Sequence, residues 1–572
     1  MRYSRLVSKT ARETPKSVRA PSHALLLRGG FIRPLSQGLY SYLPLGMRVV
    51  SRLRRLIREE MVALGGQEVL LPLTNPRQLW IESGRDAMYG EDMIRFQDRS
   101  GKKLVLAPTH EEAMVELVKS VVTSYRELPV FLFQFQSKFR NEERTRGGLM
   151  RTKEFVMKDG YSFHRSFTEL NNFFPQVFEA YTRIFRACRV PAVPAEASVG
   201  LMMGDRSYEF LMPTEFGDDL VIRCAGCGYT ANADVAVGDL DSPEEEPAEV
   251  KRVNTGQAHT MEQLSIQLGV SRSRLAKTMV YSHDDELILA VVRGDQEVSP
   301  EKLRSLVKRT PLTLADRDEL KFHGILADYV SPMGLPKDVM NLDLRVRVIV
   351  DDVVGRTPNL TITANEEGVC LTNVNHGRDF SGEIVGDISR VLPGARCRHC
   401  GGELVKERVL ELGHIFRLGD YYSRRLKLSF TDATGRRFHP LMGSYGIGLG
   451  RLVAAVAEAN HDKRGIIWPP VLAPYRYFLM AIGRSAKLAK IAEGIHEELG
   501  DDVLFDDRRV SISAKFKDAD LIGVPYRLIV NHRTADRGEV ELIARGRRSP
   551  RRVPIKGIAA ALEDLAAELD DA

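Results

Sequence analysis

Apolar and polar positions fall into separate periodic stretches along the chain, and each predicts an element. Beyond Trp468-Pro469-Pro470, residues 477–481, 503–505 and 527–530 read as strands and residues 486–499 as a helix, which together indicate a compact α/β domain. Further upstream, Gly443-Ser444-Tyr445-Gly446-Ile447-Gly448-Leu449-Gly450-Arg451 is a glycine-spaced strand running into an apolar, alanine-rich helix over residues 452–459. A long amphipathic helix follows Gly38-Leu39-Tyr40-Ser41-Tyr42-Leu43-Pro44-Leu45-Gly46, and another helix begins near Glu111. Phe139-Arg140-Asn141-Glu142 and Arg151-Thr152-Lys153-Glu154-Phe155 predict the two arms of a hairpin with a mostly cationic turn, residues 143–148. No internal repeat or low-complexity tract interrupts these patterns.

Length changes the picture first. At about 100–200 residues per domain, 572 residues suggest three or four domains and exclude a single small binding module. A net charge of +6 is too mild to identify a nucleic-acid binder, but the run Arg545-Gly546-Arg547-Arg548-Ser549-Pro550-Arg551-Arg552 and the cationic hairpin turn are placed to meet phosphates. No stretch approaches the roughly 20 apolar residues needed to cross a bilayer. The basic, hydroxylated start, residues 1–20, contains Glu13 and lacks an amphipathic helix, so a cytoplasmic protein is expected. Of the six cysteines, four form two CxxC pairs, which suits a reducing compartment better than a disulfide scaffold.

Candidate chemistry centres on the hairpin and the glycine strand. Arg140 and Glu142 on one strand face can hold a triphosphate and an adenine, and Phe155 offers a ring to a base. Glycines at alternate positions clear a strand face for a ligand, and Arg451 follows where strand becomes helix. A dinucleotide-binding fingerprint fits poorly, because an arginine ends the glycine series.

With the Gly38–Gly46 segment and Gly65-Gly66-Gln67-Glu68-Val69-Leu70-Leu71-Pro72, these stretches resemble the three ordered motifs of class II aminoacyl-tRNA synthetases. Ala107-Pro108-Thr109-His110-Glu111-Glu112, residues 151–164 and residues 413–419 narrow the resemblance to the bacterial-type prolyl-tRNA synthetases, and it covers essentially the whole chain. It implies an α+β fold: a six- to seven-stranded antiparallel class II sheet flanked by helices, an inserted α/β editing domain and a C-terminal α/β anticodon-binding domain. Residues 1–223 would hold motifs 1 and 2, residues 224–407 the insertion, residues 408–471 motif 3, and residues 472–572 the anticodon-binding domain.

The implied activity joins proline to the α-phosphorus of ATP, releasing pyrophosphate, and then passes the prolyl group to the 3′ end of tRNA(Pro). By this resemblance Arg140 bridges the proline carboxylate and the α-phosphate, a task suited to a guanidinium fork that cannot deprotonate. Glu142 holds the adenine amino group or Mg2+, Arg151 meets the terminal phosphates, and Phe155 and Arg451 sandwich the adenine beside Gly448. Thr109 and Glu111 accept from proline's ammonium, with His414, Phe416 and Ser444 lining the pocket; many relatives carry cysteine at the Ser444 position. Taken alone, Thr109 also suits a helix cap and His414 a core position.

In the insertion, Lys277-Thr278-Met279-Val280, Val292-Arg293-Gly294-Asp295 and residues 373–380 resemble the editing domain that hydrolyses mischarged alanyl-tRNA(Pro), with Lys277 and Asp295 as its candidate residues. Ser331-Pro332-Met333 replaces the usual Gly-Pro-Val loop, so that a side chain would project there, and Gln296 replaces a common histidine. Cys224, Cys227, Cys397 and Cys400 offer four thiolates, the usual ligand set of a structural Zn2+. Similar enzymes dimerise through the first motif, so a homodimer with no membrane partner is expected. A synthetase for threonine or glycine would not present Thr109, Glu111 and His414 together with this insertion. A non-catalytic relic usually loses the phosphate-binding arginines, whereas Arg140, Arg151 and Arg451 are all present.

Overall fold

Helix α1 (Pro44–Ala63) starts on a proline, which has no N–H to leave unpaired at a first helical position, and buries Val49, Leu53, Ile57 and Met61 four residues apart. Strand β1 (Gln67–Glu68), helix α2 (Glu111–Val121) and strands β2 (Val130–Phe139) and β3 (Glu154–His164) follow. Alternation sorts β2 into two faces. Phe131, Phe133 and Phe135 pack with the buried side of α1 and with Val177, Tyr181 and Ile184 of helix α3 (Phe167–Ala187). Gln134, Lys138 and, just past the strand, Arg140 belong to the opposite face. Strands β4 (Arg206–Pro213), β5 (Leu404–Gly419) and β6 (Leu441–Gly448) complete the layer, and β6 runs straight into helix α4 (Leu449–Ala459).

Their order is β4-β5-β6-β3-β2-β1. The β5–β6, β6–β3 and β3–β2 pairs are antiparallel, and the two-residue β1 lies parallel to β2 at the edge. Register fixes which side chains share a row: Phe416, Ser444 and Tyr161 are partners across β5, β6 and β3, and His414, Gly446, Asp159 and Gln134 form the next row across to β2. Helix α4 begins three residues earlier than its alanine-rich pattern predicts, because extended Gly448 serves as its N-cap, and Arg451 therefore stands in the first helical turn.

This computed structural model describes the chain apart from residues 285, 310–311, 335–344, 393, 484, 548 and 571–572. The chain forms two compact units. One contains residues 1–193, 201–218 and 410–572, and the other residues 194–200 and 219–409. The first unit includes the C-terminal α/β sheet, in which Val503–Asp506, Tyr477–Ile482 and Tyr526–Asn531 are parallel and Glu539–Ala544 and Arg551–Pro554 continue antiparallel. Arg545, in the basic run, is not a solvated cation: its side chain is buried between Asp462 at 3.0 Å and Asp520 at 3.4 Å, so it cannot reach a phosphate. Arg548 of the same run lies outside the described residues.

In the second unit, the wholly buried strand Glu286–Arg293 pairs antiparallel with Ala276–His283 and parallel with Arg345–Asp351. A continuous apolar run covered on both sides has this burial pattern. No described helix is long and apolar enough to cross a membrane.

Candidate active site

A cavity of about 370 Å³ opens on the polar face of the sheet in the first unit, lined by side chains from β3, β4, β5 and β6 and from the segments before α2 and after β2. That volume suits a small organic ligand. Thr109, Glu111, Arg140, Glu142, Phe155, His414, Phe416, Ser444, Gly448 and Arg451, some of them more than three hundred residues apart in sequence, all line it.

One end of it is built on the start of α2. Thr109 does not cap that helix; its hydroxyl donates to Glu111 Oε2 at 2.6 Å, and the Ser444 hydroxyl donates to Glu111 Oε1 at 2.9 Å. Arg85 Nη1 donates to the same carboxylate at 3.1 Å. Beside it Asp159 accepts from Tyr161 Oη and Gln134 Nε2, each at 2.8 Å, and pairs with the buried ammonium of Lys138 at 2.9 Å. Burial depresses Lys138, against the attraction of Asp159. His110, in contact with Lys138 at 2.5 Å, is lowered to about 4 by burial and by the Lys138 charge, and so stays neutral.

At the other end Arg151 and Arg451 are held by carboxylates, and Arg140 is not. Arg140 donates to the Pro108 carbonyl at 3.3 Å and lies over the Phe155 ring at 5.4 Å. Arg151 donates twice to Glu142, at 2.8 and 2.5 Å, and approaches Asp218 at 3.4 Å; it stands behind Glu142 rather than in the cavity lining. Arg451 donates to Glu411 Oε2 at 2.7 Å and to the Met150 carbonyl at 2.9 Å. Burial favours a protonated Glu411, but a hydrogen bond from His414 and the charges of Arg451, His414 and Arg140 outweigh it and hold the carboxyl well below its usual range. His414 stacks on Phe416 at 3.8 Å, with Glu411 at 3.4 Å and Glu209 at 3.5 Å from its Nδ1. Such a site offers carboxylate acceptors for an amine at one end and guanidinium donors for phosphate and carboxylate oxygens at the other.

The second unit holds two further groups of predicted residues. Cys224 ends one strand and Cys227 follows it, Cys397 and Cys400 precede another, and all four sulfurs lie within 4.8 Å of one another. The Cys224–Cys400 and Cys227–Cys397 separations are 3.5 and 3.7 Å. Lys277 ion-pairs with Glu297 at 2.5 Å, and Asp295 accepts both prongs of the buried Arg293 at 2.8 and 2.9 Å. Ser331 does not project from its loop: it is buried, and its hydroxyl accepts the Met333 N–H at 3.2 Å.

The class II core domain of tRNA synthetases (G, H, P, S and T) matches residues 94–460, and an anticodon binding domain matches residues 477–565. Over 574 residues the chain is 42% identical to the proline–tRNA ligase of Moorella thermoacetica, with 99% of each chain covered. The identity is 40% to the proline–tRNA ligase of Aquifex aeolicus over 555 residues, 95% of each chain. The chain belongs to the proline–tRNA ligases. Among solved structures, the Giardia lamblia prolyl-tRNA synthetase in complex with prolyl-adenylate shares the fold with a TM-score of 0.57 at 15% identity, over 96% of this chain and 80% of that one. The Cryptosporidium parvum prolyl-tRNA synthetase complexed with L-proline and AMP gives 0.55 at 12% identity, over 96% and 78%.

Members of this ATP-dependent ligase family are recognised by their motifs, yet several residues around the cavity escaped motif reasoning. Glu411 and Glu209 carry no local signal, although an arginine entering a cavity, as Arg451 does, calls for a carboxylate nearby. Arg85 is 26 positions from Glu111 and sits on a four-residue helix, where no periodicity marks it.

Proposed function

We propose that this chain is a working proline–tRNA ligase, which condenses proline with ATP to prolyl-adenylate and pyrophosphate and then transfers the prolyl group to the 3′ end of tRNA(Pro). The observation that supports it most is one cavity with Thr109, Glu111 and Ser444 at one end and Arg140, Phe155 and Arg451 at the other. Glu111 accepts from the secondary ammonium of proline. Arg140 bridges the proline carboxylate and the α-phosphate, aligning the attacking oxygen and offsetting charge that grows in the transition state. Phe155 and Arg451 hold the adenine from either side, Glu142 takes its amino group, and Arg151 turns from Glu142 to the terminal phosphates. Mg2+ would neutralise the triphosphate; Glu209 and Glu411 supply the hard oxygen ligands it prefers, whereas His414 does not. Amino-acid-dependent ATP–pyrophosphate exchange across all twenty amino acids tests the assignment: proline alone should support rapid exchange, and no exchange with proline would overturn it.

Three finer points belong to the same proposal. The four cysteines hold a structural Zn2+, since tetrahedral Zn–S bonds of about 2.3 Å place sulfurs about 3.8 Å apart, close to the 3.5 and 3.7 Å found. Residues 219–409 form an editing module for mischarged alanyl-tRNA(Pro), with Lys277 contacting the adenosine end or helping to position the ester. The enzyme is a cytoplasmic homodimer; exposed Leu35, Met47, Val62 and Leu70 around the first motif offer apolar surface for a second copy, and sedimentation equilibrium should return twice the chain mass.

A further inference from the structure

Beside the amine-binding end lies a buried charge cluster that the proposed chemistry does not use. Arg85 and Glu112 are fully buried and Glu111 is 1% exposed. Arg85 Nη1 reaches Glu111 Oε2 at 3.1 Å and both oxygens of Glu112 at 3.2 and 3.3 Å, while Nη2 donates to Tyr89 Oη at 2.9 Å. The Ser83 hydroxyl donates to Glu112 at 2.8 Å. Rings of Trp80, Tyr89 and Tyr422 stand 5.3, 5.1 and 5.4 Å from the guanidinium carbon and wall it from water. The neighbouring cation Lys138 is matched by Asp159. The cluster therefore holds two carboxylates against one guanidinium, and only Glu111 lines the cavity.

We propose that Glu112 is the dedicated counter-ion of Arg85, and that this pair holds the amino-acid pocket at one net negative charge, carried by Glu111, so that the pocket selects a cationic amine. Arg85 and Glu112 are thus positioning residues: neither touches proline, and both act through Glu111. The inference rests on Glu111 as the ammonium acceptor. Buried ions are tolerated only when compensated. With Glu112 neutral, Arg85 becomes the full partner of Glu111 and competes with the substrate ammonium. With Arg85 removed, two carboxylates share one dry site, and one of them takes a proton or repels its neighbour. Removing both charges restores the single negative charge.

The test is a double-mutant cycle in proline-dependent pyrophosphate exchange, with KM for proline, KM for ATP and kcat measured for Glu112→Gln, Arg85→Met and the double variant. Losing one partner of a buried charge pair should raise KM for proline about tenfold or more, with KM for ATP unchanged and kcat much less affected. The double variant should bind proline better than Arg85→Met alone. Purely additive effects, or a Glu112→Gln enzyme with unchanged KM for proline, would overturn the proposal. Glu112→Gln preserves shape, so it decides the matter even where Arg85→Met fails to fold. Glu111→Gln is the control on the premise: if it leaves KM for proline unchanged, the ammonium assignment fails, whereas a large effect there with an additive cycle sinks only the role of Arg85 and Glu112.

Discussion

Around the cavity Arg85, Arg151 and Arg451 are each aimed by a carboxylate, whereas Arg140 has a carbonyl and a ring but no carboxylate within ion-pair distance among the described residues. Its charge is the one most open to substrate oxygens. Arg140→Ala should lower proline-dependent pyrophosphate exchange by roughly a hundredfold or more, the order expected for one donor used in the transition state, without change in the circular dichroism spectrum. Glu111→Ala should act chiefly on the proline requirement, read as a rise in KM. His164 supports a different prediction. It is 2% exposed with neither ring nitrogen hydrogen-bonded among the described residues, and burial lowers it to about 4. Between pH 6.5 and 4 the unfolded chain therefore binds a proton that the folded chain refuses. This group costs stability as pH falls through that window, by up to about 1.4 kcal/mol per pH unit. His164→Phe should flatten the fall in the urea midpoint between pH 7 and 5, and an unchanged slope would refute the assignment.

At the scale of elements, the glycines of β6 serve two ends. A Cβ on Gly446 would meet only Met157 Sδ at 3.4 Å and would point into the cavity, whereas one on Gly443 would sit 2.0 Å from Tyr445 Oη on the packed face. Gly443→Ala should thus cost about 1–3 kcal/mol through overpacking, and Gly446→Ala should leave the melting temperature nearly unchanged while lowering exchange about tenfold or more through a displaced ligand. The reverse pattern would mean that β6 presents its other face to substrate. The cysteine ribbon is a second element-level case. Enzyme purified without added metal or chelator should contain one zinc per chain, and Cys224→Ser with Cys400→Ser should lose both the metal and thermal stability. A metal-free native protein whose stability is untouched by those changes would end the zinc assignment. That the four sulfurs converge was not decided by the spacing of two pairs 170 residues apart; it follows from the antiparallel pairing of Asp219–Cys224 with the start of β5, in which Cys224 and Leu404 are partners.

The chain forms two compact units, and the proposed function assigns activation to one and editing to the other. Lys277→Ala should therefore slow hydrolysis of preformed alanyl-tRNA(Pro) while leaving proline activation unaltered, and a loss of activation would contradict that separation. If the wild-type enzyme releases alanine no faster than buffer, the 219–409 unit has no editing function and the Lys277–Glu297 pair is structural. Ser331 is buried and turns into its own loop, so the side chain expected to project there does not. Local pattern was enough for the hairpin, for the strand-to-helix junction at Arg451 and for three strands and a helix of the C-terminal α/β sheet, because alternation, glycine spacing and motif order are properties of neighbouring residues. The hairpin strands, however, end at Phe139 and resume at Glu154, so Arg140 and Glu142 stand in the connection and not on a strand face. Tertiary structure then decided what neighbours cannot: strand register puts Ser444, Phe416 and Tyr161 in one row, and the packing of helices and loops makes Glu411 hold Arg451, buries Arg545 rather than offering it to phosphate, and stands Arg85 and Glu112 behind Glu111. Pairing energies of buried charges depend on distance through space and on exclusion of water, and neither quantity is a function of separation along the chain.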